Sequence, residues 1–198
     1  QLAREARACT VCQPRLDHPV RPVFRGSPTA RIRIIGQAPG TRVQASGVPF
    51  TDPSGDRLRA WMGVTREEFY DEARIAITPM GFCFPGLDAK GGDKPPRPEC
   101  APLWQDRFTA ALPEVSLTLL IGQYAQKRYL GVERKRTLTE TVSHWRNYWP
   151  RFVALPHPSW RNNAWLKRNP WFENDVLPAL KSSIRSMLDD DVDRTNYQ

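Results

Sequence analysis

Residues 31–40, RIRIIGQAPG, decide the fold. Ile32, Ile34 and Ile35 face a core from a short strand over residues 31–36, and the strand breaks directly into the tight turn Gln37-Ala38-Pro39-Gly40. A strand that ends in a Gly-Pro turn is a usual platform for a site. Outward from it, strand and helix alternate. Apolar spacing is helical over residues 55–62 and 65–73, the second opened by the capping box of Thr65 and Glu68. A strand follows at 75–78. The Gly- and Pro-rich stretch 79–102 is too long to be a simple connector. Helix is predicted over 104–112, a fully buried strand over 116–121 (SLTLLI), helix over 122–130 and near 137–145, and strand over 152–155. The chain then turns at Pro156-His157-Pro158-Ser159, and a long amphipathic helix, roughly 170–188, closes the fold.

Four short strands separated by helices imply one α/β domain over residues 1–198, a three-layer α/β/α sandwich around a central four-stranded parallel sheet. Ligands of such sheets bind beyond the carboxyl ends of the strands, where both the GQAPG and HPS turns fall. The first thirty residues, with Pro14, Pro19, Pro22 and Pro28, read as a short helix at most and then an extended lead-in. The acidic tail 189–198 is expected to fray.

At 198 residues the chain fits a single core, which usually holds ~50 to ~250 residues. Lys and Arg outnumber Asp and Glu by 29 to 21, a net charge of +8 spread along the chain. A polyanion is the obvious partner, a solvated basic surface the alternative. No stretch approaches the ~20 apolar residues that span a bilayer, and residues 1–9 lack the apolar core of a signal peptide, so a cytoplasmic protein is expected. In that reducing compartment Cys9, Cys12, Cys83 and Cys100 read as metal ligands or buried thiols rather than disulfides.

Val23-Phe24, Ala30, the strand with Gly36-Gln37-Ala38-Pro39-Gly40, then Gly47-Val48-Pro49-Phe50 and His157-Pro158-Ser159 stand in an order that resembles the uracil-DNA glycosylases. The chain is most similar to their iron-sulfur branch (family 4), whose motifs are typically GEAPG and HPS. Cys9-x-x-Cys12 followed by Cys83 and Cys100 repeats that branch's spacing, which implies a structural [4Fe-4S] cluster, with zinc as the alternative. The resemblance also implies a fold of the uracil-DNA glycosylase type, uracil-containing DNA as partner and a chain acting as a monomer.

The family's reaction requires a base flipped out of the duplex into a closed pocket. By resemblance, Phe50 stacks on the flipped pyrimidine and His157 donates to the anion developing on it. Main-chain groups of Gln37, Ala38 and Gly40 contact the base. Ser159 bonds a phosphate, while Trp160 and Arg161 fill the gap left in the stack or hold the orphaned partner. The alternatives are a core Phe, a structural His and a surface Trp-Arg pair.

Two departures touch catalysis. The branch's glutamate is Gln37 here, Thr41-Arg42-Val43-Gln44 carries no acid, and Ala38 stands where the classical GQDP motif has its aspartate. Water would then be held by Gln37 or by Asp52, which could equally cap the following helix. At 78–80 the branch's asparagine is replaced by Thr78-Pro79-Met80, so uracil must be read by other groups. The transition state is dissociative, so a strong base is not essential. No Lys stands in either motif for Schiff-base chemistry. The expected activity is a monofunctional DNA glycosylase that leaves an abasic site. The alternatives are a protein that binds uracil or abasic DNA without cleaving it, and a glycosylase for another deaminated base.

Overall fold

The computed structural model describes the backbone of residues 1–195 and the side chains of residues 1–189. Strands β1 (Ile32–Ile35), β2 (Ile75–Ile77), β3 (Leu117–Ile121) and β4 (Phe152–Leu155) form one sheet in the order β2-β1-β3-β4, parallel at every pairing. β1 and β3 are buried at every position, as the centre of a parallel sheet covered on both faces must be. The chain leaves β1 on one side to make β2 and crosses to the other to make β3 and β4. That reversal opens a crevice beyond the carboxyl ends of β1 and β3.

The two faces of the sheet differ. Ile32 and Ile34 share the main core with Leu58 and Trp61 of helix α3 (Pro53–Met62) and with Leu180 and Ile184 of the long closing helix. Each large apolar side chain so buried contributes about 1.5–3 kcal/mol. Residue 33 points to the opposite face, since side chains alternate along a strand. There Arg33 is 2% exposed and donates to three neutral oxygens: Thr78 Oγ1 at 2.7 Å, Thr109 Oγ1 at 2.7 Å and Gln105 Oε1 at 2.9 Å. Burial pushes its pKa below the usual guanidinium value. Gln105 in turn donates to the Pro79 carbonyl at 2.7 Å, so this network sets the chain's path where β2 ends.

The helices match the sequence pattern with shifted ends. Helix α1 (Leu2–Arg7) buries Ala6 beside Phe24 and Phe82. Helix α2 (Thr41–Ser46), directly after the GQAPG turn, has no counterpart in the apolar pattern. Helix α4 (Arg66–Tyr70) opens with the expected capping box but stops before Ala73, because Asp71 turns extended and its carboxylate takes the Ala73 N–H at 3.0 Å. Helix α5 (Cys100–Ala111) starts four residues ahead of expectation, with Pro102 in its first turn, where a missing N–H breaks no bond. α6 (Gln123–Leu130) follows β3, α7 (Leu138–Ser143) has its own capping box from Thr137 and Glu140, and α8 (Asn163–Arg168) follows the HPS turn.

The closing helix begins with a π-helical segment at Phe172–Val176 and continues as α9 (Leu177–Thr195). The tail expected to fray is therefore helical as far as Thr195, its entry supported by an Arg185–Asp189 ion pair at 3.7 Å, while residues 196–198 lie outside the described residues. Among the described residues no helix is long and apolar enough to cross a membrane.

Candidate active site

The GQAPG turn is stitched to the end of β2. The Gly36 carbonyl accepts from Met80 N–H and the Gln37 carbonyl from Gly81 N–H, both at 2.9 Å. A Cβ at Gly36 would stand 3.4 Å from Cζ of Phe50, so glycine lets that ring lie close against the turn. Phe50 itself sits at φ +56°, a conformation that costs a bulky residue about 1–3 kcal/mol. Its surroundings hold it there. Tyr70 Oη donates to the carbonyls of Pro49 at 2.8 Å and Phe50 at 3.0 Å, and Phe69 meets the ring edge-on at a centroid distance of 6.0 Å. Upstream, Gly47 ends α2 at φ +72°, and Arg21 caps that end by donating to the Gln44 and Ala45 carbonyls, both at 2.7 Å.

The HPS turn is anchored from three sides. Gln126 on α6 donates to Leu120 O at 3.2 Å and Leu155 O at 2.9 Å, tying together the ends of β3 and β4. Asn162 donates to the His157 carbonyl at 2.7 Å, and Arg57 of α3 donates to the Ser159 carbonyl at 3.0 Å. Burial pushes the His157 pKa below 6.5, Asp52 opposes that shift and Arg161 reinforces it, so the imidazole is neutral at pH 7. Trp160 is 73% exposed at the rim, with the Arg161 guanidinium 5.8 Å from its ring centroid.

These elements enclose two connected spaces. An inner recess is walled by Val23, Gly36, Phe50, Ile77 and Pro79; an outer channel is walled by Arg42, Arg57, Ser159, Trp160 and Arg161. Gln37, Ala38, Gly40, Asp52, Asp93 and His157 line both, and form the neck between them. Every base-binding and DNA-binding position expected from the sequence thus lines a single site. The recess suits a planar base. The channel, with three arginines, suits a phosphate backbone.

Asp52 stands at the N-cap, directly before α3, yet its carboxylate takes no helix N–H; it accepts from the Ser54 hydroxyl and faces the neck. The capping alternative for its side chain is thereby set aside. Gln37 Nε2 donates to the Lys94 carbonyl at 3.2 Å. Asp93 is the residue that sequence reasoning missed. It belongs to a small hairpin in the long loop, in which Leu87 bridges Asp93, Lys94 N–H reaches Gly86 O at 2.9 Å, and Asp88 Oδ1 accepts from Lys90 N–H at 2.8 Å and Gly92 N–H at 2.9 Å. An Asp amid glycines reads as turn chemistry, and only the hairpin's docking distinguishes Asp93 from Asp88. Its carboxylate oxygen lies 3.4 Å from where a Gly40 Cβ would stand. The side chain stays open toward the neck, yet crowding by the walls pushes its pKa above the usual aspartate value; Arg161 opposes this, while Asp52 and Asp88 add to it.

The four cysteines are free thiols lining one apolar pocket with Phe82 and Trp104. Phe82 N–H donates to Cys100 Sγ at 3.2 Å. Burial pushes the Cys83 thiol to about 11 and the Cys100 thiol to about 12, and raises Cys12 as well. Among the described residues no group of three or more His, Cys, Asp or Glu side chains is arranged to hold a metal ion. The expected ligands share a pocket without forming the compact set that a single ion requires.

Residues 23–181 match the family described as the uracil DNA glycosylase superfamily. The match takes in the turn, Phe50, the hairpin and the HPS segment, and begins after Cys9 and Cys12. The recess, the neutral histidine and the arginine-lined channel lie within the matched span, and the chain belongs to the uracil-DNA glycosylase superfamily, a family of DNA glycosylases.

Proposed function

We propose that this chain excises uracil from DNA by hydrolysis of the N-glycosidic bond and leaves an abasic site. The observation that carries the proposal is the neck: a flipped base seated in the recess against Phe50 passes its glycosidic bond between His157 and two carboxylates, with its phosphates in the arginine-lined channel. The neutral imidazole of His157 donates to the carbonyl oxygen of the departing base as negative charge grows there. A preorganised donor of this kind contributes about 3–4 kcal/mol to the barrier. Trp160, exposed at the rim, would enter the vacated stack, and Arg161 beside it would hold a phosphate or the orphaned base. Among the described residues that line the neck there is no lysine, which supports a monofunctional enzyme. The neck is complete within one chain, which supports a monomer, and the free thiols suit the reducing cytoplasm.

We also infer that the chain belongs to the iron-sulfur branch. Four thiols around one apolar pocket, with a main-chain N–H directed at Cys100 Sγ, fit a [4Fe-4S] cluster, whose ligands stand farther apart than those of a single ion. Thiols pushed up to about 11 and 12 stay protonated in the pocket, and a bound group must displace those protons. The cluster would crosslink the amino-terminal segment to the long loop, with no redox role. Brown protein carrying iron and labile sulfide supports it; colourless protein carrying zinc replaces it.

The test of activity is excision from a labelled oligonucleotide with one uracil, followed by alkali. Strand cleavage supports the glycosylase. An intact strand with uracil-dependent binding would instead identify a recognition protein, and cleavage only at other deaminated bases would reassign the substrate.

A further inference from the structure

We propose that Asp93 is the reaction's carboxylate, carried into the neck by the hairpin at 86–94 and latched there by Gln37. The inference rests on the glycosidic chemistry proposed above. The motif that normally carries an acid has none here, and the structure brings one from 56 positions further along the chain, as the numbering gives (93 − 37). Asp93 lines both recess and channel, beside Gly40 and together with His157, where the bond between base and sugar must pass. Among the described residues nothing hydrogen-bonds its carboxylate, whereas Asp52 is engaged by Ser54.

The glutamine explains how the hairpin stays in place. Its amide donor meets the Lys94 carbonyl, one residue from Asp93. A glutamate at position 37 would set a carboxylate against that carbonyl and near the Asp93 charge, undoing the contact. Loss of the acid from the motif and its gain on the hairpin are two halves of one rearrangement: Gln37 is a positioning residue and Asp93 the acid it positions.

In the reaction the C1′–N bond breaks and its electron pair leaves on the base. The oxygen of a water bonds to C1′, Asp93 accepts the water's proton, and that proton later passes to the departed base anion. Before the water bonds, the same carboxylate stabilises the cationic sugar.

Single-turnover excision from uracil-containing duplex should slow about 100-fold or more in Asp93→Asn, with binding of that duplex changed less than about 3-fold. Asp52→Asn should cost less. Gln37→Glu should slow the reaction as its loop undocks, and Gln37→Met, which keeps the volume and loses the donor, should do the same. The wild-type rate should fall on acidification through the raised Asp93 pKa, set among Arg161, Asp52, Asp88 and His157, and Asp93→Asn should flatten that limb. An Asp93→Asn rate within about 3-fold of wild type overturns the proposal.

A second measurement separates this inference from the choice of uracil. DNA holding a cationic pyrrolidine in place of the sugar should bind wild type about tenfold tighter than DNA holding a neutral tetrahydrofuran, and Asp93→Asn should lose that preference. An equal preference in both proteins overturns the role of Asp93 even where uracil is cut. An Asp93-dependent preference without uracil cleavage keeps the carboxylate and moves the failure to the substrate.

Discussion

The two walls of the neck are built on different principles. One is made of strand ends: GQAPG after β1 and HPS after β4, fixed by a buried sheet, by Gln126 and by the stitching of Gly36 and Gln37 to the end of β2. The other is a hairpin closed by its own Asp88 turn and the Lys94–Gly86 hydrogen bond, and tied to the GQAPG turn by one glutamine contact. The first wall shares its stability with the whole fold, so its geometry is as secure as the core. The second has fewer ties to the core, and under the role proposed for Asp93 a small free-energy change there would switch chemistry on or off without unfolding the protein.

The sharpest test of this difference is His157→Ala, which removes the donor from the rigid wall. The expected loss is about 10²- to 10³-fold in single-turnover rate, with an unchanged circular dichroism spectrum at neutral pH. Full activity in this variant would sink the mechanism. Next comes Gly55→Ala. A Cβ there would lie 1.8 Å from the Phe50 carbonyl oxygen, so backbone must shift, and about 3 kcal/mol of stability should be lost in urea unfolding together with base stacking.

The hairpin wall should lose rate without the loss of stability expected of Gly55→Ala. Asp88→Ala, which frees the amides of Lys90 and Gly92, should lower the excision rate by less than His157→Ala does and leave the urea midpoint where it was. A matching fall in global stability would show that the hairpin is part of the cooperative core after all. The smallest effect is a pH dependence. Because His157 has a folded pKa below its ordinary 6.5, the unfolded chain binds the extra proton first on acidification. Its stability contribution is complete above about pH 6.5 and is lost as pH falls from there through the folded value; His157→Ala should remove that part of the slope in urea midpoints measured across pH.

The rigid wall is legible in the sequence because it obeys local rules. The isoleucine run, the Gly-Pro turn, the Thr65–Glu68 capping box and the His-Pro-Ser turn after an apolar strand each announce themselves within a few residues. Phe50, His157, Asp52, Trp160 and Arg161 can therefore be gathered at one end of the sheet from the order of the motifs and the family resemblance they carry. Arg33 cannot, since its burial depends on Gln105 and Thr109 arriving from a helix more than seventy positions away. Asp93 escapes for the same reason. Nothing within the loop separates it from Asp88, and the separation comes from Gln37, a contact between distant parts of the chain. The helix ends move where one side chain competes with the helix, as at Asp71, or where proline is tolerated in a first turn, as at Pro102.

The left-handed backbone of Phe50 bears on timing as well as shape. An extrahelical base restacks quickly unless something is waiting for it. Because Tyr70, Phe69 and the close approach of Gly55 set the ring during folding, the ring itself would not have to order when a base arrives in the proposed reaction. The strain is met once per folding event and not once per turnover. Under the proposed function, capture would be a race between restacking and a single short translation against a ring already in place, and the cost of opening the duplex would fall on other residues.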